Sequence, residues 1–326
     1  MSFVTRRALL LAPLLFSLGW LAWDAPGPFA REAYFVILLC GATLVTRTVS
    51  WGTALAAVSM GIGVAAPGMV LVGLALTRAG LDLEDSVFVS WVVVPVIEEA
   101  IKLVPVLLVA ALHRRRTNLT LNPSDWLLVG CAAGAGFAMV ENAQLVQHSP
   151  GVVRDMARQY GPSWLVPGAW GAAGYVGHAA ATGFIAAGIG VWRSWKREAE
   201  ARRAALTWSQ IALWAPCGWV VAEHMLANLY VNTGSGVALI LGNGRLTPWL
   251  FLAAVGVVVS IDVSRAKNVV AHSRTFRVRL AMTRESLFGH TIPKRRSLWR
   301  RVLLAMGEIR MVNATAWLTL ERLAKP

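Results

Sequence analysis

The chain has 326 residues, 56% of them hydrophobic and only 15% charged, a balance that excludes an ordinary soluble globular domain. A net charge of +14 would suit a nucleic-acid binder, but the basic residues gather between apolar runs and in the C-terminal segment, which argues for a lipid surface instead. The three cysteines, Cys40, Cys131 and Cys217, all fall inside apolar runs, so no disulfide framework is legible.

The apolar runs predict an all-α fold, a polytopic membrane bundle of about eight transmembrane helices. The expected spans are roughly 8–23, 33–46, 50–76, 86–112, 126–147, 164–192, 207–231 and 247–261. The first follows Arg6-Arg7 as a signal peptide would, but Pro26-Gly27-Pro28 comes after it without a small-x-small cleavage site, so it is read as a helix. With the N-terminus inside, segments 1–7, 47–49, 113–125, 193–206 and 262–326 are cytoplasmic and hold 25 of the 31 Lys and Arg. Arg31, Arg78, Arg154, Arg158 and Arg245 lie on the other side, and Lys102 is inside a span. That is the positive-inside pattern of an integral protein of a bacterial plasma membrane with both termini cytoplasmic. Pro150–Pro167 is expected as an outer loop. Residues 1–262 form the membrane domain, and 263–326 a basic cytoplasmic tail whose stretch Leu298–Leu323 has the spacing of an amphipathic helix.

Ionisable residues interrupt four successive spans. Each costs about 2.5–3.5 kcal/mol at mid-bilayer, so a chain that keeps several should gather them around one polar cavity. The fourth span carries Glu98-Glu99-Ala100-Ile101-Lys102. Glu98 and Lys102 share a helix face, whereas Glu99 is turned away and should not use the same lysine. The fifth carries Phe137-Ala138-Met139-Val140-Glu141-Asn142 after a run of small residues that favours close helix packing. The sixth has His178 at its midpoint, within Gly177–Gly183, and the seventh ends with Glu223-His224-Met225-Leu226-Ala227-Asn228. His224 and Asn228 share a face, and Glu223 points aside as a supporting or packing residue. Taken singly, each group has a plainer reading: a Glu–Lys pair can fix helix packing, and a buried histidine is commonly structural.

The ordered set E-E-x-x-K, F-x-x-x-E-N, G-H-x-x-x-x-G and H-x-x-x-N resembles the PrsW family of intramembrane proteases. That family is a branch of the superfamily that also holds the type II CAAX prenyl proteases and bacteriocin-processing homologues. The resemblance covers about residues 86–231 and implies a glutamate-dependent peptidase acting on membrane proteins such as anti-sigma factors. Glu98 and Glu99 match its paired glutamates, Lys102 the basic residue after them and Glu141 the second-motif acid. His178 and the His224/Asn228 pair are similar to its later histidine motifs. The prenyl proteases have histidine where Glu141 stands, which argues against prenylated substrates.

Glutamates with histidines suit activation of water for attack on a peptide carbonyl. Glu98 is the expected general base, with Glu99 and Lys102 setting its position. Glu141 and His178 would hold the water, and His224 with Asn228 would face the oxyanion, although either histidine suits either role. The same groups could bind a divalent metal such as zinc, but there is no H-E-x-x-H helix and Lys102 puts a cation where the metal would sit, so no cofactor is expected. The competing readings are an ion-coupled transporter, which should show an internal repeat that the chain lacks, and an inactive scaffold of the same superfamily. By the depth of these groups along their spans, the cavity should open toward the extracytoplasmic side.

Overall fold

The computed structural model describes residues 18–21, 23, 26–44, 46–81, 86, 88–117, 121–148, 176–202, 207–241 and 244–272, and among them all regular structure is helical. Eight α-helices follow in order: α1 Pro26–Ala42, α2 Trp51–Met60, α3 Ala66–Arg78, α4 Val94–Thr117, α5 Pro123–His148, α6 His178–Arg202, α7 Thr207–Thr233 and α8 Thr247–His272. Residues 18–21 and 23, at the end of the expected first span, are also helical. The rest of that span, Pro150–Pro167, residues 164–175 of the expected sixth span and Leu298–Leu323 lie outside the described residues.

Prolines explain the two irregularities in the helical runs. A wide π turn, Gly61–Ala65, joins α2 to α3, and another, Val89–Val93, leads into α4. Each is followed two residues later by a proline, Pro67 or Pro95. A proline ring inside an α-helix collides with the carbonyl four residues back and has no N–H to offer it; the wider turn relieves that conflict. The Val89–Val93 turn leaves one carbonyl over. Val94 N bonds to Val89 O, so Ser90 O would need the N–H that Pro95 lacks. Asn228 Nδ2 fills the vacancy, donating to Ser90 O at 3.1 Å, and Asn232 Nδ2 donates to Ser90 Oγ at 2.9 Å.

Among the described residues, three stretches are long and apolar enough to cross a membrane: Trp51–Arg78, Pro123–Gln144 and Thr247–Arg265. Within them the central stretch is almost wholly buried, while most residues of the flanking two are only partly buried or exposed. The fold is therefore built around α5, which packs most extensively on α6 and also on α1, α2, α4 and α8. Its small residues make that possible. A Cβ at Gly134 would run into the His178 carbonyl, and one at Gly136 into the Val58 carbonyl.

The start of α5 is fixed by a reciprocal cap that begins before the expected span. Asn122 Oδ1 accepts from Asp125 N at 2.7 Å, and Asp125 Oδ2 accepts from Asn122 N at 3.3 Å, with Pro123 at the first helical position. Asp125 also accepts from Thr48 N at 2.7 Å, Val49 N at 3.1 Å and the Thr48 hydroxyl, so it holds the α1–α2 turn. Beside it, Thr46 Oγ1 donates to Ser124 Oγ at 2.8 Å and Ser124 N to Asp262 Oδ2 at 2.9 Å. These bonds set Thr46, Ser124 and Asp262 at one level. Eleven residues back along the chain from that level stand Phe35 on α1 and Phe251 on α8, whose rings meet with centroids 5.7 Å apart. Both helices thus run antiparallel to α5 in a common register.

Candidate active site

Four helices bring six ionisable groups into direct contact. Glu98, Glu99 and Lys102 come from α4, Glu141 from α5, His178 from α6 and His224 from α7. All except Glu141 are buried, and the Glu141 side chain is 32% exposed, against 6% or less for the others. The cluster is therefore reached from the Glu141 side.

Lys102 is at its centre. Nζ lies 3.1 Å from Glu98 Oε1, 2.6 Å from Glu99 Oε1 and 2.6 Å from His178 Nδ1. An ammonium has three donors and no acceptor, so it matches these three partners. The expectation that Glu99 turns away from Lys102 is corrected here. Residues at i,i+3 and i,i+4 are both neighbours on a helix surface, and the long lysine side chain spans the gap between them. Because Lys102 can only donate, His178 Nδ1 accepts, which leaves its proton on Nε2 to donate to a Glu141 carboxylate oxygen. His224 is oriented from the other side, its Nδ1 2.8 Å from Glu99 Oε1. Glu98 Oε1 then lies 3.2 Å from His178 Nδ1 and 4.0 Å from His224 Nε2, between the two imidazoles. The edge of Phe137 meets the His178 ring, with centroids 5.1 Å apart, and its face lies 5.3 Å from Lys102 Nζ, closing one wall with apolar surface.

His178 does not sit in the middle of a helix as the span 164–192 implied. It is the first residue of α6, entered through Val176 and Gly177, and the glycine has φ of 92°. That left-handed conformation suits glycine and turns the chain into the helix. Helical side chains lean toward the N-terminus, so from this position the imidazole reaches across to Glu141. Asn228 was expected beside His224 at the oxyanion; its amide instead donates to the carbonyl that Pro95 leaves over. Glu223 faces α8, where it accepts from the Thr247 hydroxyl, which in turn accepts from Trp219 Nε1 at 2.8 Å.

Two donor sets in this cluster are close enough to share a metal ion, Glu98 with Glu99 and His224, and Glu98 with Glu141 and His178. A family model described as PrsW family intramembrane metalloprotease matches residues 42–261, which include all six groups. The chain belongs to the PrsW family. As a PrsW-family protein it is an integral membrane protease whose substrates are proteins embedded in the same bilayer. Searches of the curated proteins and of the solved structures found no match.

Proposed function

We propose that this PrsW-family chain hydrolyses membrane-spanning segments of single-pass proteins, of the anti-sigma-factor kind, with a water molecule activated by Glu98. One observation carries the reading: Glu98 Oε1 stands between the two imidazoles and within reach of a single ammonium. In this reading Glu98 takes a proton from water as the oxygen attacks the peptide carbonyl, and the proton then passes to the departing amine. Lys102 holds both α4 carboxylates in place. Glu99 fixes the His224 ring, so that its Nε2 side faces the carbonyl oxygen as charge develops there. The Glu141–His178 pair holds the water from the accessible side.

The donor types would suit zinc, and the family description implies a metal. Against this, both nitrogens of His178 are engaged, and the ammonium of Lys102 occupies the point on which Glu98, Glu99 and His178 converge. With the cluster in this arrangement the set of Glu98, Glu141 and His178 does not fit a metal ion, Lys102 also holds the Glu98 and Glu99 oxygens of the other set, and the proposed reaction runs without one.

Eight spans with both termini cytoplasmic, in a bacterial plasma membrane, are the topology that the loop Lys and Arg support. In that topology Glu141 lies toward the extracytoplasmic side, so substrates are cut in the outer half of their span. The test is cleavage of a single-pass substrate in proteoliposomes, with the cut mapped by mass spectrometry. Wild type should cut it and Glu98→Gln should not; full cleavage by the variant would sink the mechanism, and a cut on the cytoplasmic side would invert the topology.

A further inference from the structure

Helix α1 carries a carboxyl group that the mechanism above leaves unused. Glu32 belongs to the stripe Glu32, Phe35, Val36, Leu39, Cys40 and Thr43, all buried and spaced as one helix face. It is 1% exposed, and among the described residues no donor reaches its Oε2. A buried acceptor left unmade is costly, so a chain that keeps one invites a partner from outside the fold.

The register of the bundle fixes the depth of Glu32. Phe251 lies eleven residues, about 16.5 Å, along α8 from Asp262, and Phe35 meets it at that depth. Glu32 is three residues, about 4.5 Å, farther along α1, about 21 Å in all. The same step along α5 from Ser124 reaches Ala138, one turn short of Glu141, and the Phe35–Phe251 contact supports this alignment. Because helical side chains lean toward their N-terminus, Glu32 leans toward the level of Glu141. The two carboxylates are within electrostatic range of each other. The family match begins at residue 42, so Glu32 lies outside the matched region.

We propose that Glu32 is a substrate-binding residue beside the Glu141 side of the site, its carboxyl group accepting a hydrogen bond from a backbone N–H of the segment being cut. This rests on the peptidase reading above. A peptide bond in a helix must be unwound before water can attack it, and unwinding strands N–H groups where lipid offers no acceptor. Each of the site's other carboxylates already has an oxygen on Lys102 or a histidine. Glu32 Oε2 is buried with no donor of its own among the described residues, which leaves an acceptor for such an N–H.

Two variants and a cross-link test it. Glu32→Gln keeps an acceptor oxygen, so KM for an anti-sigma-factor-like single-pass substrate in proteoliposomes should stay within about three-fold of wild type. Glu32→Leu removes the acceptor and should raise KM by about ten-fold while kcat changes little. Equal loss in both variants, or an unchanged KM in Glu32→Leu, would overturn the proposal. The cross-link is independent of cleavage and of how well Glu32→Leu folds. In a Glu98→Gln background, Glu32→Cys is oxidised against single cysteines scanned through the substrate's membrane segment. A disulfide confined to a few neighbouring positions supports the contact, and none at any position refutes it. A wild-type chain that cuts nothing while the cross-link still forms would reject the peptidase reading and leave Glu32 as a binding residue.

Discussion

Two buried polar clusters lie at opposite ends of α5, about 24 Å apart along its axis. Except for Glu141, their carboxylates are equally hidden, but they differ in what they bond to. Asp125 takes its hydrogen bonds from the backbone N–H groups of Thr48, Val49 and Asn122 and from the Thr48 hydroxyl. Glu98, Glu99 and Glu141 take theirs from a lysine and two histidines on long or rotatable side chains. Backbone donors are fixed by the path of the chain, so the Asp125 cluster holds one geometry and pins the α1–α2 turn to α5. In the other cluster each group shares its partner with another, so a proton can move or a ligand enter without unfolding a helix. Burial does not tell a reactive carboxylate from a structural one; the origin of its donors does.

The contrast fails if both clusters behave alike under substitution, and the largest effect should come from the α4 glutamates. Glu98→Gln or Glu99→Gln should lower the cleavage rate by about 10²–10⁴-fold. Membrane insertion and abundance should stay near wild type; a fall in abundance that accounts for the lost activity would make these residues structural. Lys102→Met leaves carboxylates buried without their cation and should lose both cleavage and about 3–5 kcal/mol of stability, read from thermal unfolding in detergent. Asp125→Ala should do the opposite of the glutamine variants. It strips a charged acceptor from several donors and should cost about 2–4 kcal/mol, yet activity per folded molecule should remain. Asn228→Ala removes one bond to a left-over carbonyl, worth about 1 kcal/mol, and cleavage should fall no more than a few-fold. A loss as large as that of Glu98→Gln would return Asn228 to the oxyanion. Exhaustive chelation should have the smallest effect, with activity within about two-fold of the untreated protein, because Lys102 stands where a metal would bind. Activity restored only by added zinc would reverse that reading.

Much of the helix order was legible because apolar runs and loop charges are strong, long-range signals. Trp51–Arg78 follows the expected span 50–76 closely, and Thr207–Thr233 the span 207–231. The six ionisable groups could be singled out because each interrupts an apolar run. Their mutual geometry was less legible. The sharing of Lys102 depends on side-chain reach and not only on helical angle, and the position of His178 at a helix start depends on the φ of Gly177. The bond that Asn228 makes was not legible because its partner is a carbonyl left over by a proline more than a hundred residues away. The signal for the α5 cap was present in Asn122-Pro123-Ser124-Asp125, a reciprocal cap with proline at its first helical position. Glu32 was overlooked because it stands one residue before the apolar run at 33–46. Its spacing with Phe35, Val36 and Leu39 marks it as part of the same buried stripe.

The wide turn at Val89–Val93 carries a lesson about chain length. A π turn is an α-helix with one residue inserted, so the segment before it is rotated by about 100° relative to Glu98–Lys102. Deleting one residue there should let an ordinary helix re-form most readily if Pro95 is replaced as well, since its ring and missing N–H cost an ordinary helix about 3 kcal/mol. Ser90 would then swing away from Asn228 while the α4 glutamates kept their places. Insertion, proline and asparagine are thus a set of three that should be gained or lost together, as should the insertion and proline at Gly61–Ala65 and Pro67.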